Sequence, residues 1–295
     1  MTSAPQGSGD PETHGTPQVL RLAAFAEHPD HGNPAGVVLD AAGFDAASML
    51  AIAADVGYSE TAFVTALDVV SGECEVRYFS PQGEVDFCGH ATVATVVALA
   101  EHAGRTAFSM STRAGIVHAH ARDDDGMLVG AFRSPPASNE PLDEDARLEL
   151  LRILGWSEAD LEPALPPAVG VAGNRHPVLA ARRVDRLATL DYDLEALRAL
   201  CVEHGWTTVQ LIARESQGVW RSRNPFPLGG VVEDPATGAA AAAFVGYLRD
   251  RGLLAAGERL TIHQGVEMGR PSRIDLEVEE SRVVVSGPVS RIASR

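Results

Sequence analysis

The chain has 295 residues, of which 45% are hydrophobic, which is enough for the apolar core of one large domain or two ordinary ones. Its formal net charge of -16 repels a phosphate backbone and an anionic membrane surface, so we expect neither nucleic acid nor a membrane as a partner. Three cysteines without CxxC spacing, an N-terminus unlike a signal peptide and no apolar run of membrane-spanning length favour a cytoplasmic protein.

The first part of the chain predicts mixed α and β structure. Residues 1–18 are rich in Pro, Gly, Ser and Thr and contain no aromatic residue, which predicts a disordered leader. Short strand-like runs and a few helices follow. The predicted helices are 46–56 and 90–102, and the predicted strands are 61–65, 74–79, 107–112 and 116–121, followed by the turn DDDG and another strand.

A segment rich in proline and acid, SPPASNEPLDED, indicates a domain boundary. We therefore predict an N-terminal half over 19–135, a C-terminal half over 136–285 and a tail over 286–295. The second half is predicted to contain helices at 146–154, 194–204 and 237–251, and strands at 207–213, 218–223, 273–278 and 283–286.

An internal similarity between 84–99 and 233–248 pairs Gly89 with Gly238 and indicates a duplicated architecture. Each copy would present an acidic turn, a glycine and a helix N-terminus. Two such N-termini facing each other would offer unpaired N–H groups and partial positive charge, which is a site for a carboxylate.

Five segments in this order resemble the phenazine-biosynthesis PhzF-like family, from about residue 20 to about residue 290. They are GNPAGVV at 32–38, GYSETAF at 57–63, SPQGEVDFCGHAT at 80–92, RSRNPFPLGGVVEDPATGAAAA at 221–242 and HQGVEMGRPS at 263–272. The resemblance implies an α+β fold like that of diaminopimelate epimerase, with two similar halves that each wrap a mixed or antiparallel sheet around a central helix. It also implies a homodimer.

The same resemblance implies that Glu60, His90 and Asp234 are catalytic. Glu60 would be the general acid and base, and Asp234 would hydrogen-bond the substrate's amino group or hold a proton in relay with His90. Taken alone, each residue is compatible with a capping or solvated role. The family match favours the functional interpretation.

Five further residues are candidates for substrate binding. Gly89 and Gly238 would donate backbone N–H groups, Ala239 stands where the family often has Ser, and Asn33 either pins a turn or contacts the ligand. Cys88 precedes a helix, where the dipole would favour thiolate over thiol. In the related epimerases and racemases, paired cysteines exchange the α-proton, but 224–245 contains no cysteine, so a packing role for Cys88 is favoured.

The sequence indicates neither a cofactor nor a metal. GNPAG lacks the Lys-Ser/Thr of a phosphate loop, nothing fits GxGxxG, and the pair His118 and His120 lacks a third ligand of convincing spacing. The implied activity is a cofactor-independent proton shift on a small carboxylate such as trans-2,3-dihydro-3-hydroxyanthranilate. A cofactor-free epimerase using Cys88 and a non-catalytic binding protein remain as alternatives.

Overall fold

The computed structural model describes residues 18–293 of the chain, so residues 1–17 of the predicted leader lie outside the described residues. It confirms mixed α and β structure. The α-helices are α1 Ala46–Val56, α2 Gly89–Ala103, α3 Glu144–Leu154, α4 Leu194–His204 and α5 Gly238–Asp250. Short 3-10 helices cover Glu158–Asp160, Val184–Ala188 and Pro227–Gly229. Across this part of the chain, no helix is both long and apolar enough to cross a membrane.

The strands are short and run through the whole described chain. Those before α3 are β1 Leu20–Ala24, β2 Asn33–Val38, β3 Glu60–Leu67, β4 Glu73–Ser80, β5 Gly83–Val85, β6 Ala107–Thr112, β7 Gly115–Asp124, β8 Met127–Arg133 and β9 Ser138–Pro141. Those after α3 are β10 Ala168–Ala172, β11 Asn174–Ala181, β12 Gln210–Ser216, β13 Val219–Arg223, β14 Pro225–Phe226, β15 Val231–Glu233, β16 Arg259–Gln264, β17 Ser272–Val278 and β18 Val283–Arg291.

One large mixed sheet connects both parts of the chain. Its strand order is β1-β2-β3-β4-β6-β7-β8-β18-β17-β16-β13-β12-β11-β10-β9, and a second pairing of β1 with β18 closes the first group of strands into a ring. Strand β18 pairs with β8 on one side and with β17 on the other. It therefore links the strands that precede α3 to those that follow it.

Helices α2 and α5 lie at the centre of the fold. All ten residues from His90 to Leu99 are buried, as are Gly238 and the residues from Ala240 to Leu248. A helix that is buried on every side needs small and apolar residues all round, which the alanine and valine runs supply. Gly130 of β8 permits the close approach to α2, since a Cβ atom there would lie 2.3 Å from the Val93 carbonyl oxygen.

The other three helices pack on the outside of the sheet and are capped in the usual way. The side chains of Asp45, Asp143 and Asp193 accept a backbone N–H at the N-termini of α1, α3 and α4. Glycines in the left-handed conformation end all three helices. The predicted bounds of α1 and α4 are confirmed, whereas α3 carries the same signals but begins at Glu144, before its predicted start at 146.

The structure differs from the sequence-based expectation at several strands and at the tail. The sequence did not indicate β10, β11 or β16, and the predicted boundary segment contains β9, which pairs with β10. Residues 286–291 were expected in a tail but continue β18, because they pair with β8 and with β1. The division into two domains at 134–145 stays a prediction.

Candidate active site

The N-termini of the two central helices meet at one cleft. A Cβ atom built on Gly89 would lie 3.9 Å from the Gly238 Cα. The N-cap residues Cys88 and Thr237 make no capping bond with their side chains, unlike the Asp residues that cap α1, α3 and α4. The N–H groups of Gly89 and Gly238 are therefore not taken up by an Asp-type cap, and they lie at a cleft whose volume is about 760 Å³.

Glu60 enters this cleft from the first position of β3, which pairs in parallel with β2. Its carboxylate Oε2 lies 3.4 Å from the Nε2 of His90 and 3.6 Å from the Sγ of Cys88, and the side chain is 15% exposed. The Ser59 hydroxyl lies 3.4 Å from the same His90 nitrogen. The predicted residues Glu60, His90 and Cys88 are thus brought into direct contact.

Asp234 faces the site from the other part of the chain. Its carboxylate accepts hydrogen bonds from the Asn33 amide at 2.8 Å and from the Thr237 hydroxyl at 2.6 Å. Burial raises the pKa of Asp234 to about 7, and the negative charge of Glu60 acts in the same direction, while the bonds from Thr237 and Asn33 oppose the rise. Near neutral pH this carboxyl can therefore exist in either protonation state.

Asn33 lies between His90 and Asp234 and contacts both side chains. Its buried amide donates to Asp234, also contacts the Ala236 carbonyl at 3.2 Å, and lies 3.3 Å from the Nδ1 of His90. Burial lowers the pKa of His90, although Glu60 and the Pro34 carbonyl oppose this change. The imidazole is therefore predominantly neutral at pH 7.

Cys88 differs from the expectation of a thiolate. Burial, followed by the negative charge of Glu60, raises the pKa of its thiol well above the usual range. The Ala91 N–H acts in the opposite direction but is outweighed. The helix-dipole argument failed because the dipole supplies only a partial charge, whereas the thiol is buried beside a full negative charge.

The remaining predicted residues also line the cleft. Gly89, Gly238 and Ala239 lie in the first turns of α2 and α5. Ala239 has no hydroxyl, so its backbone N–H is the one group of this residue that can donate a hydrogen bond to a ligand. All eight predicted site residues therefore lie at one place, although their roles stay predictions.

Glu60, Cys88 and His90 are also a group that could hold a metal ion. Their ligand atoms lie within 4.8 Å of one another, and within residues 18–293 they are the one group of this kind. The pair His118 and His120 does not belong to such a group. In the metal-free site the Cys88 thiol is protonated, so binding of zinc there would have to displace its proton.

Sequence reasoning missed several polar residues of the site. Gln264 donates to the Asp234 carbonyl at 2.7 Å and accepts the Thr237 N–H at 3.2 Å, so it holds the turn before α5. Its place in the HQGVEMGRPS motif was the available signal. His176 and Thr208 also line the cleft. His176 begins the buried part of β11, which is apolar from Pro177 onward, and this is a weaker signal.

A mixed α+β protein with a preformed cleft, perturbed titratable groups and free helix N-termini has the features of a protein that binds and transforms a small anion. The chain belongs to the phenazine biosynthesis-like family, PhzC-PhzF, whose family model matches residues 22–293.

Relatives and a solved structure cover most of the chain. A relative from Deinococcus radiodurans that is named an uncharacterized isomerase is 36% identical over 88% of this chain and 85% of its own length. The trans-2,3-dihydro-3-hydroxyanthranilate isomerase of Pseudomonas fluorescens is 33% identical over 90% of this chain and 94% of its own. The crystal structure of a PhzF-family protein from Bacillus anthracis superposes with a TM-score of 0.83 at 26% identity, covering 93% of this chain and 96% of that one.

Proposed function

We propose that this protein is a cofactor-independent isomerase that moves a proton between carbon atoms of a small carboxylate, with Glu60 as the general acid and base. The observation that carries the proposal is the position of Glu60 Oε2, 3.4 Å from a buried histidine and beside two uncapped helix N-termini. The relatives named isomerases support the reaction class. The cleft volume of about 760 Å³ is usual for a small-molecule site, which supports a substrate similar to trans-2,3-dihydro-3-hydroxyanthranilate.

The helix N-termini are suited to hold the substrate carboxylate. Each terminus carries about half a positive charge, and the effect on an anion is about 0.3–1 kcal/mol when exposed and up to about 2 kcal/mol when partly buried. Free N–H groups at Gly89 and Gly238 add hydrogen bonds. Two such termini orient a small anion, and contacts elsewhere in the cleft must supply the rest of the binding free energy.

The groups around Glu60 are suited to proton transfer. Glu60 removes a proton from an activated carbon, and the neutral His90 beside it can accept or return a proton at 3.4 Å. Asp234, with its pKa near 7, can store a proton or hydrogen-bond an amino group. General acid–base catalysis contributes about a hundred- to ten-thousand-fold. Positioning and electrostatics must provide the remaining acceleration.

The proposal includes the larger organisation of the protein. The parts before and after 134–145 would act as two similar halves, with β18 shared between them, that close around the substrate. The functional unit would be a cytoplasmic homodimer. An epimerase with two thiols is disfavoured, because the N-cap of α5 is Thr237 where α2 has Cys88, and because the Cys88 thiol has a raised pKa.

The test is conversion of trans-2,3-dihydro-3-hydroxyanthranilate, followed by proton NMR of the ring and olefinic protons. We expect double-bond migration with the wild type and at least a hundred-fold less with Glu60→Gln. Glu73→Gln is the matched control, since Glu73 is exposed at the start of β4 and lies outside the cleft. A folded wild type without activity on this compound and on a panel of small carboxylates and amino acids would contradict the proposal.

A further inference from the structure

His176 is a buried polar side chain of the cleft that the proposed chemistry does not use. It lies in β11, has no exposed surface and lines the same cleft as Glu60 and Asp234. Its Nδ1 lies 2.8 Å from the Thr208 hydroxyl, but its Nε2 has no hydrogen-bond partner within residues 18–293. Buried polar atoms of side chains are seldom left unpaired in native proteins.

The strand register places His176 on the face of β11 that carries α5. In the antiparallel pairing of β10 with β11, His176 lies opposite Gly170. A Cβ atom at Gly170 would lie 3.0 Å from the Ala243 carbonyl oxygen of α5. Residues opposite each other in an antiparallel pair point to the same face. The imidazole therefore lies on the α5 side of the sheet, beside the cleft.

A chain of hydrogen bonds determines which nitrogen of His176 carries the proton. The Asn224 amide donates to Gln210, and the Asn224 carbonyl oxygen accepts the Thr208 hydroxyl at 2.8 Å. With the Asn224 and Gln210 amides in this orientation, the single hydroxyl hydrogen of Thr208 is used in that bond, so its oxygen accepts the N–H of His176 Nδ1. Burial lowers the pKa of His176 to about 4, so the ring is neutral at pH 7. Its Nε2 is then an acceptor without a donor.

We infer that the Nε2 of His176 accepts a hydrogen bond from an amino or hydroxyl group of the substrate. The inference rests on the proposed function only in placing a carboxylate at the two helix N-termini. It narrows the substrates to carboxylates that also carry an N–H or O–H donor. A site with a buried polar group discriminates strongly against analogues that leave this group unpaired, typically by about ten- to a hundred-fold.

The first test measures binding of three stable acids by calorimetry, so that no turnover is needed. The probes are benzoate, which has no further donor, anthranilate, which adds an amino group, and 3-hydroxybenzoate, which adds a hydroxyl group. We expect the wild type to bind at least one donor-bearing acid about ten-fold or more tightly than benzoate. The variant His176→Phe should lose this preference and keep its affinity for benzoate. Its matched control, His263→Gln, should keep the preference, since His263 lies outside the cleft.

The second test locates the proton on the His176 ring in the wild type. Its main result therefore does not depend on whether a variant folds. Long-range proton–nitrogen NMR of the wild type should show His176 neutral with the proton on Nδ1. Thr208→Val should abolish that fixed tautomer. If the amides of Asn224 and Gln210 were rotated, the bonds would run the other way and Nε2 would carry the proton. That result would overturn the inference.

The two proposals fail in different ways. A wild type that does not isomerise its substrate but still prefers donor-bearing acids to benzoate would refute the proposed reaction. The role of His176 in binding would be unaffected. A wild type that isomerises its substrate but binds all three acids equally would overturn the inference. Equal preference in the wild type and in His176→Phe would overturn it as well.

Discussion

Replacing Asp234 by asparagine should stabilise the protein more at pH 8 than at pH 5. The pKa of Asp234 rises from its usual value of 3.8 to about 7, chiefly through burial. Between these values the unfolded chain releases the proton and the folded protein retains it, so stability falls as the pH rises through this window and is constant above it. Asparagine mimics the protonated acid and abolishes this dependence.

The magnitude follows from the width of the pH interval. One pKa unit corresponds to about 1.4 kcal/mol, so the gain from Asp234→Asn can grow by at most about 3 kcal/mol between pH 5 and pH 7. Because the side chain is only partly buried, solvent screening should reduce this to about 1–2 kcal/mol. The variant should be inactive as an isomerase.

Urea unfolding of the wild type and the variant at pH 5 and pH 8 measures this difference directly. The exposed Asp55→Asn serves as the matched control for the substitution itself. In a Glu60→Gln background the effect should shrink, since the charge of Glu60 contributes to the raised pKa of Asp234. A change in the free energy of unfolding that is equal at both pH values would refute the reasoning.

Three further predictions concern packing, the thiol and the metal. Gly130→Ala should destabilise the protein by about 1–3 kcal/mol in urea unfolding, since the new Cβ would lie 2.3 Å from the Val93 carbonyl oxygen. Gly83→Ala, which meets nothing within 4 Å, should be nearly neutral, and equal effects would count against the close helix–sheet contact. Cys88→Ser should keep more than about a tenth of the isomerase activity, because a thiol with a raised pKa is a poor base. Inactivation as complete as that of Glu60→Gln would instead favour the epimerase that uses Cys88. Prolonged dialysis against a chelator should leave the turnover unchanged, and recovery of lost activity by added zinc would show that the cluster at Glu60 works as a metal site.

Elements whose ends carry local signals were predicted best from the sequence. Helices α1 and α4 begin after a capping Asp and end before a glycine, so their bounds could be read from neighbouring residues. Strands β10 and β11 were missed because prolines and glycines interrupt their pattern. What makes them strands is pairing with β9 and β12, which are distant in the sequence.

Local sequence patterns have the same limit at the candidate site, where residues distant in the sequence meet. Glu60 and Asp234 came from family resemblance, since no local pattern relates two residues that only folding brings together. The argument from the helix dipole, which favoured a thiolate at Cys88, failed because it could not include burial beside Glu60. The unpaired nitrogen of His176 depends on a chain of four side chains from separate strands and connecting segments.

Uptake of deuterium from heavy water tests the central claim, that Glu60 moves the proton, most directly. Wild-type protein with trans-2,3-dihydro-3-hydroxyanthranilate should give an isomer that carries deuterium at the carbon receiving the proton, to the extent that Glu60 exchanges its proton with solvent during turnover. Folded Glu60→Gln should give neither isomer nor deuterated substrate. Isomerisation by Glu60→Gln at the wild-type rate would contradict the account.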